Sequence, residues 1–186
     1  MADKVKIVAI VGSMRRESYN RQLAMQAKEI LGDKAELEIL DYADVPLMNQ
    51  DIEYPAPEPV CRVREAIKAS DGVWFFCPEY NHYFSGALKN LIDWLSRPIS
   101  ESEPQVLDGK PAAISGASLG MSGTKTAQDH LVALISLLNM NVMNKPRLAI
   151  PNIAQQTDPG GRLSLCESAP WLKDQAQKFV EFINNA

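Results

Sequence analysis

Val5-Lys6-Ile7-Val8-Ala9-Ile10-Val11-Gly12-Ser13-Met14-Arg15-Arg16-Glu17-Ser18-Tyr19-Asn20 is the stretch that decides the fold. Val5 to Val11 is a β-branched run, the pattern of a strand buried on both faces. Gly12-Ser13 breaks it. From Tyr19 to Leu31 the spacing turns helical, with Leu23, Ala27, Ile30 and Leu31 on one stripe and Gly32 as the stop. A strand, a short turn and a helix open a βαβ unit.

The rest of the chain repeats the alternation. Glu36 to Leu40 reads as a second strand. Val45 to Pro59 holds four prolines and reads as a long surface connection. Val60, Val63 and Ile67 mark a short amphipathic helix, closed by Asp71-Gly72. Val73 to Cys77 is a fully apolar third strand, and Leu88, Leu91, Ile92 and Leu95 mark the next helix. A loop from Arg97 to Gly109 leads to a fourth strand at about Lys110 to Ser115, then a helix at about Thr124 to Leu138. Arg147 to Ile150 is a fifth strand, and Trp171 to Ile183 the last helix. Five short apolar strands separated by helices imply right-handed crossovers and a parallel sheet covered on both faces. The expected fold is α/β: a flavodoxin-like, three-layer domain with a five-stranded, doubly wound parallel sheet, and residues 1–186 form one domain without repeat or linker. Such sheets bind ligands beyond the C-terminal strand ends, where the strand order reverses. The residues following strands one, three and four are therefore where chemistry is expected.

Composition narrows the class. The chain has 186 residues, 46% apolar and 23% charged, with a net charge of −4, which is ordinary globular composition rather than disorder or a disulfide scaffold. No Lys/Arg run exists to track a phosphate backbone, so nucleic acid is not an expected partner. Cys61, Cys77 and Cys166 are widely spaced and form no C-x-x-C, which argues against zinc and for a reducing, cytoplasmic compartment. The N-terminus, Met1-Ala2-Asp3-Lys4, leads into too short an apolar run for a signal peptide. Leu131 to Leu138 is the longest apolar stretch, well short of the ~20 residues that span a bilayer, so no membrane partner is expected.

After the first strand, Ser13, Ser18, Arg15 and Asn20 sit at the start of a helix. Free N–H groups and the positive dipole end attract a phosphate there, and hydroxyls, an amide and a forked cation add donors. The loop has one glycine and neither G-x-G-x-x-G nor a P-loop, which suits a single terminal phosphate. Equally, Ser18 can be a plain N-cap, with Arg15 and Arg16 as solvated charges. After the third strand comes Cys77-Pro78-Glu79-Tyr80-Asn81-His82-Tyr83-Phe84-Ser85-Gly86. After the fourth, Gly116-Ala117-Ser118-Leu119-Gly120 matches G-x-S-x-G, a hydrolase nucleophile motif. That reading needs an acid and then a histidine downstream. Only His130 follows, on the next helix, and none follows Asp158 or Asp174, so the triad order fails. Cys77 ends a buried strand as a small hydrophobe, and Lys89 and Asp93 can pair at i, i+4.

Gly12-Ser13-x-Arg15-x-x-Ser18-x-Asn20, Pro78-Glu79-Tyr80-Asn81 and Gly86-Ala87-Leu88-Lys89-Asn90-x-Ile92-Asp93-Trp94 together resemble the NAD(P)H-dependent FMN reductase family, nearest to its bacterial quinone and chromate reductases. The likeness spans nearly the whole chain. It implies FMN as cofactor, NADH or NADPH as co-substrate and a small-molecule electron acceptor. Carried over by position, it implies that Ser13, Met14, Arg15, Ser18 and Asn20 hold the phosphate. Pro78, Glu79, Tyr80 and Asn81 form a flavin loop, and Ser118, Leu119 and Gly120 a third contact. Glu79 is expected to act through its backbone or to pair with an arginine, because a bare carboxylate near N1 would oppose the anionic reduced flavin. The resemblance implies ping-pong hydride transfer through flavin N5, with no catalytic side chain; His82 borders the pocket. It also implies a homodimer or homotetramer, and the apolar helix from Thr124 together with Trp94 is the expected interface. A flavodoxin-like electron carrier would share fold and cofactor, but carriers usually lack an arginine such as Arg15. A phospho-receiver would need acidic residues where the strands end in Val11-Gly12 and Cys77-Pro78, and a Rossmann dehydrogenase would need its glycine fingerprint.

Overall fold

The computed structural model describes residues 4–186; the leaderless reading of Met1, Ala2 and Asp3 lies outside them. Strand β1 (Val5–Val11) leads into helix α1 (Tyr19–Leu31), followed by β2 (Ala35–Ile39), α2 (Glu58–Lys68) and β3 (Gly72–Phe76). Then come α3 (Gly86–Leu95), β4 (Pro111–Ala117), α4 (Lys125–Leu137), β5 (Asn141–Val142), β6 (Leu148–Ile150) and α5 (Ala169–Asn184).

The strands form one sheet in the order β2-β1-β3-β4-β5, with β6 also paired to β4. Every pairing is parallel, so the flavodoxin-like expectation holds. The fifth position is split. Residues 141–142 pair with the start of β4 and residues 148–150 with its end, with Pro146 between them, where the ring can donate no ladder hydrogen bond. The helix α2 begins at Glu58, earlier than the proline-rich stretch suggested. Pro59 stands in its first turn, where a missing N–H is harmless.

The sheet separates two apolar layers. Alternate strand residues such as Ile7, Ala9, Trp74 and Phe76 pack against α1 and α5, while Val8, Ile10, Val73 and Phe75 pack against α2, α3 and α4. Trp94 is fully buried, and its indole N–H donates to the Pro46 carbonyl at 2.8 Å. This corrects the expectation that Trp94 belongs to an interface: it anchors the proline-rich connection, helped by Asn90, which donates to the same carbonyl and accepts from the Met48 N–H. Helix α4 buries Ala127, Gln128, Leu131 and Ile135, while Leu137 is exposed. The Lys89–Asp93 pair forms at 2.6 Å.

Because β1 lies between β2 and β3, successive connections leave β1 in opposite directions. The loops after β1, β3 and β4 therefore diverge around one crevice at the C-terminal sheet edge.

Candidate functional site

Gly12 ends β1 against the loop after β3. A Cβ there would lie 2.6 Å from Pro78 Cδ and 3.2 Å from Ser85 Oγ, so only glycine lets the two loops touch. Ser85 caps α3 and donates its hydroxyl to the Gly12 carbonyl. Tyr42, buried beneath, donates to the Val11 carbonyl at 2.7 Å, and burial pushes its phenol well above its ordinary pKa. The end of β1 is thus pinned from two sides.

Ser18 is the N-cap of α1, with extended backbone and an Oγ that accepts from the Arg21 N–H at 3.4 Å. No acidic residue occupies the first turn of α1. Arg15 lies over the Tyr19 ring at 5.2 Å and, among the described residues, forms no ion pair. The result is an electropositive helix terminus with hydroxyls on Ser13 and Ser18 and an unpaired guanidinium. That arrangement accepts an anionic group with several oxygens.

Asn20, expected as a phosphate ligand, lines the cleft and also has a structural partner. Its side chain is buried and clasps the end of β4, donating to the Ala117 carbonyl at 3.1 Å and accepting from the Ala117 N–H at 2.9 Å. An amide saturates a strand's last free backbone pair, so Asn20 fixes α1 against β4.

After β3, the Tyr80 and Tyr83 backbones exchange hydrogen bonds at 2.8 and 3.0 Å. Between them Asn81 and His82 have φ of 53° and 62°, the left-handed pair of a tight two-residue turn. Asn suits that region better than most residues. The Tyr80 hydroxyl donates to Ser13 Oγ at 3.2 Å, joining the first two loops.

Of the two roles expected for Glu79, pairing with an arginine is not seen among the described residues. Its carboxylate accepts from Ser122 Oγ at 2.8 Å and from the Ala127 N–H at 3.1 Å, while His82 Nδ1 stands 3.6 Å away. His82 itself is solvent-exposed. Cys77 is buried, and burial pushes its thiol far above the ordinary range, so it is an inert part of the core.

The loop after β4 starts where Gly116 passes close to β3; a Cβ there would lie 2.3 Å from the Cys77 carbonyl oxygen. Ser118 donates to the Gly120 carbonyl at 3.1 Å. His130, the only downstream histidine, packs its ring on Tyr83 at 4.6 Å. Among the described residues no histidine or carboxylate hydrogen-bonds Ser118, so the geometry as well as the order speaks against the hydrolase reading.

Together the three loops enclose a cleft of about 740 Å³. The expected residues Ser13, Arg15, Ser18, Asn20, Pro78, Glu79, Tyr80, Asn81, Ser118, Leu119 and Gly120 all line it. Met14 does not: its side chain is exposed outside the lining, because successive residues of an extended loop point to opposite sides. Tyr19, Met121 and Ser122 line the cleft without having been singled out as candidates. Tyr19 follows from helix geometry, one position beyond the N-cap, whereas nothing local marks Ser122.

The family model for NADPH-dependent FMN reductase matches residues 5–155. An NAD(P)H-dependent FMN reductase of Pseudomonas aeruginosa is 38% identical over 97% of this chain and 92% of its own. A 2-hydroxy-1,4-benzoquinone reductase from a Burkholderia species is 33% identical over 97% of both chains. A solved structure of the flavoenzyme NAD(P)H:(acceptor) oxidoreductase from Paracoccus denitrificans superposes with a TM-score of 0.87 at 31% identity, over 97% of this chain and 98% of that one. The family model matches most of the chain, and the relatives are covered almost end to end: this chain belongs to the NADPH-dependent FMN reductase family.

Proposed function

We propose that this protein is an oxidoreductase that binds FMN in the cleft and uses NADH or NADPH to reduce quinones or related acceptors, chromate among them. The observation that carries the reading is the anion seat at the α1 N-terminus, opening into a cleft walled by two further loops. FMN fits the residues present. Ser13, Arg15 and Ser18 would hold its single phosphate, and the lone Gly12 leaves no wide turn for a second phosphate. The Pro78–Asn81 turn and Ser118–Gly120 would flank the ring with backbone donors and flat side chains. Bound there, FMN supplies the chemistry, accepting a hydride from NAD(P)H and passing reducing equivalents to the acceptor.

The chain's own part is to bind, orient and leave one side of the cleft open. The cleft is one space, so donor and acceptor use it in turn, as in a ping-pong cycle. His82 is exposed, lines the cleft and has its Nδ1 3.6 Å from Glu79, which supports a wall residue rather than a proton donor. We assign no catalytic role to a side chain. The exposed Leu137 on α4 and Leu47 support assembly as a homodimer or homotetramer, and the free cysteines a cytoplasmic location. No helix among the described residues is long and apolar enough to cross a membrane.

The test is direct. Purified protein should be yellow, and initial rates against a benzoquinone at several fixed NAD(P)H concentrations should give parallel double-reciprocal lines. A yellow protein with no NAD(P)H turnover would instead be an electron carrier. A colourless one that retains no added FMN after gel filtration would remove the reading altogether.

A further inference from the structure

Helix α4 has no local side-chain cap; the Lys125 N–H donates to the Ser122 carbonyl at 3.0 Å. Thr124 precedes it in a left-handed conformation, φ 73°, and its side chain caps nothing; its Oγ1 instead accepts from Gln128 Nε2 at 3.0 Å. The first N–H groups of a helix need partners. One of them, on Ala127, is satisfied by Glu79, across a sequence separation of 48 residues. The other oxygen of the same carboxylate accepts from Ser122 in the loop that precedes the helix. The Glu79 side chain is only 7% exposed. A carboxylate at a helix N-terminus is also favoured by the dipole, which answers the burial of its charge without an arginine.

The turn that carries Glu79 is held at a second point. Its neighbour Tyr80 reaches in the opposite direction to Ser13 Oγ. The loop after β3 is therefore tied through Tyr80 to the loop after β1, and through Glu79 to the loop after β4. These are the three walls of the cleft.

We infer that Glu79 is a positioning residue: its carboxylate clasps the loops after β3 and β4 and sets the spacing at which the cleft receives FMN. The inference rests on the FMN reading above. The clasp requires two acceptor or donor positions at the end of a side chain of glutamate length, not a charge as such. Glu79→Gln retains both links, because the amide oxygen accepts from the Ala127 N–H and the amide nitrogen donates to Ser122 Oγ. Glu79→Ala removes both, and Ser122→Ala removes one.

The experiment measures the FMN dissociation constant of the full chain by flavin fluorescence. It is paired with hydrogen exchange of the 122–127 amides in the flavin-free chain. Glu79→Ala is expected to weaken FMN about tenfold or more and Ser122→Ala about threefold, as loss of two and one hydrogen bonds implies. Glu79→Gln should recover most of the affinity, and adding Ser122→Ala to Glu79→Ala should weaken binding no further. Exchange at 122–127 should accelerate in Glu79→Ala and stay near wild type in Glu79→Gln. Wild-type affinity in Glu79→Ala, or a Glu79→Gln as weak as Glu79→Ala, would overturn the clasp. Should Glu79→Ala fail to fold, wild-type FMN affinity in Ser122→Ala would do the same. A wild-type chain that binds no FMN would remove the functional reading instead, and the exchange data would still judge the clasp.

Discussion

Arg15→Ala tests the anion seat most sharply. The guanidinium rests on the Tyr19 ring at 5.2 Å, faces the cleft and, among the described residues, has no carboxylate partner. Its removal therefore breaks little in the free protein. An exposed cation–π contact is worth about 0.5–1 kcal/mol, so the melting temperature should fall by no more than about 4 °C. Toward FMN the loss is larger, since a charge-assisted bond to phosphate contributes about 1.5–3 kcal/mol. That corresponds to roughly ten- to a hundredfold weaker binding. Riboflavin has no phosphate, so its affinity should scarcely change. Arg15→Lys should fall between the two, because an ammonium keeps the charge but not the fork. The difference between wild type and Arg15→Ala should also shrink as salt rises, since the site is open to screening. Fluorescence titration of the flavin-free protein with both ligands, at low and high salt, measures all of this. An equal loss of FMN and riboflavin affinity would refute the reasoning, for it would make Arg15 a structural residue. Unchanged FMN affinity would place the phosphate elsewhere.

Four further outcomes are expected. Gly116→Ala should destabilise the chain by about 3 kcal/mol or more in urea, because its methyl group would collide with the Cys77 carbonyl, while Gly86→Ala, with nothing within 4 Å of its new Cβ, should be neutral to slightly stabilising. Asn20→Ala leaves the buried Ala117 N–H and C=O without their partner; unfolding should cost about 1–3 kcal/mol less than in wild type, and FMN and riboflavin affinities should fall together. Glu53 is held below the usual glutamate range by a hydrogen bond and charge from Arg97 at 2.7 Å, so it adds stability above its ordinary pKa that is lost as the pH falls through its lowered one. Denaturation of Glu53→Gln across that acidic range should show a flatter pH dependence than wild type, and identical slopes would count against the pair. Ser118→Ala should retain most reductase turnover, and the wild type should not hydrolyse a nitrophenyl ester, since His130 packs against Tyr83; serine-dependent ester cleavage would restore the hydrolase reading.

The order of elements and the three loops that matter were legible in the sequence. Doubly buried strands such as Val73–Phe76 leave no polar alternative, and helices such as α1 carry both stripe and cap, so local pattern and fold agree. The proposed anion seat was legible for the same reason: a helix start following a strand-ending glycine is a local object. Side chains whose partners lie far along the chain were not. Asn20 reads as a ligand beside Ser18, yet its amide also clasps Ala117, 97 residues away. Glu79 reads as a hazard to a flavin, yet it caps a helix that brings no side-chain cap of its own. Trp94 reads as surplus apolar area on a helix, yet Pro46 closes over it. In each case a polar or aromatic group had an ordinary local reading, and a backbone group delivered by tertiary packing claimed it instead. Spacing along one chain segment specifies which face a side chain takes. Which distant donor or acceptor waits on that face depends on how the sheet and its covering helices bring the loops together.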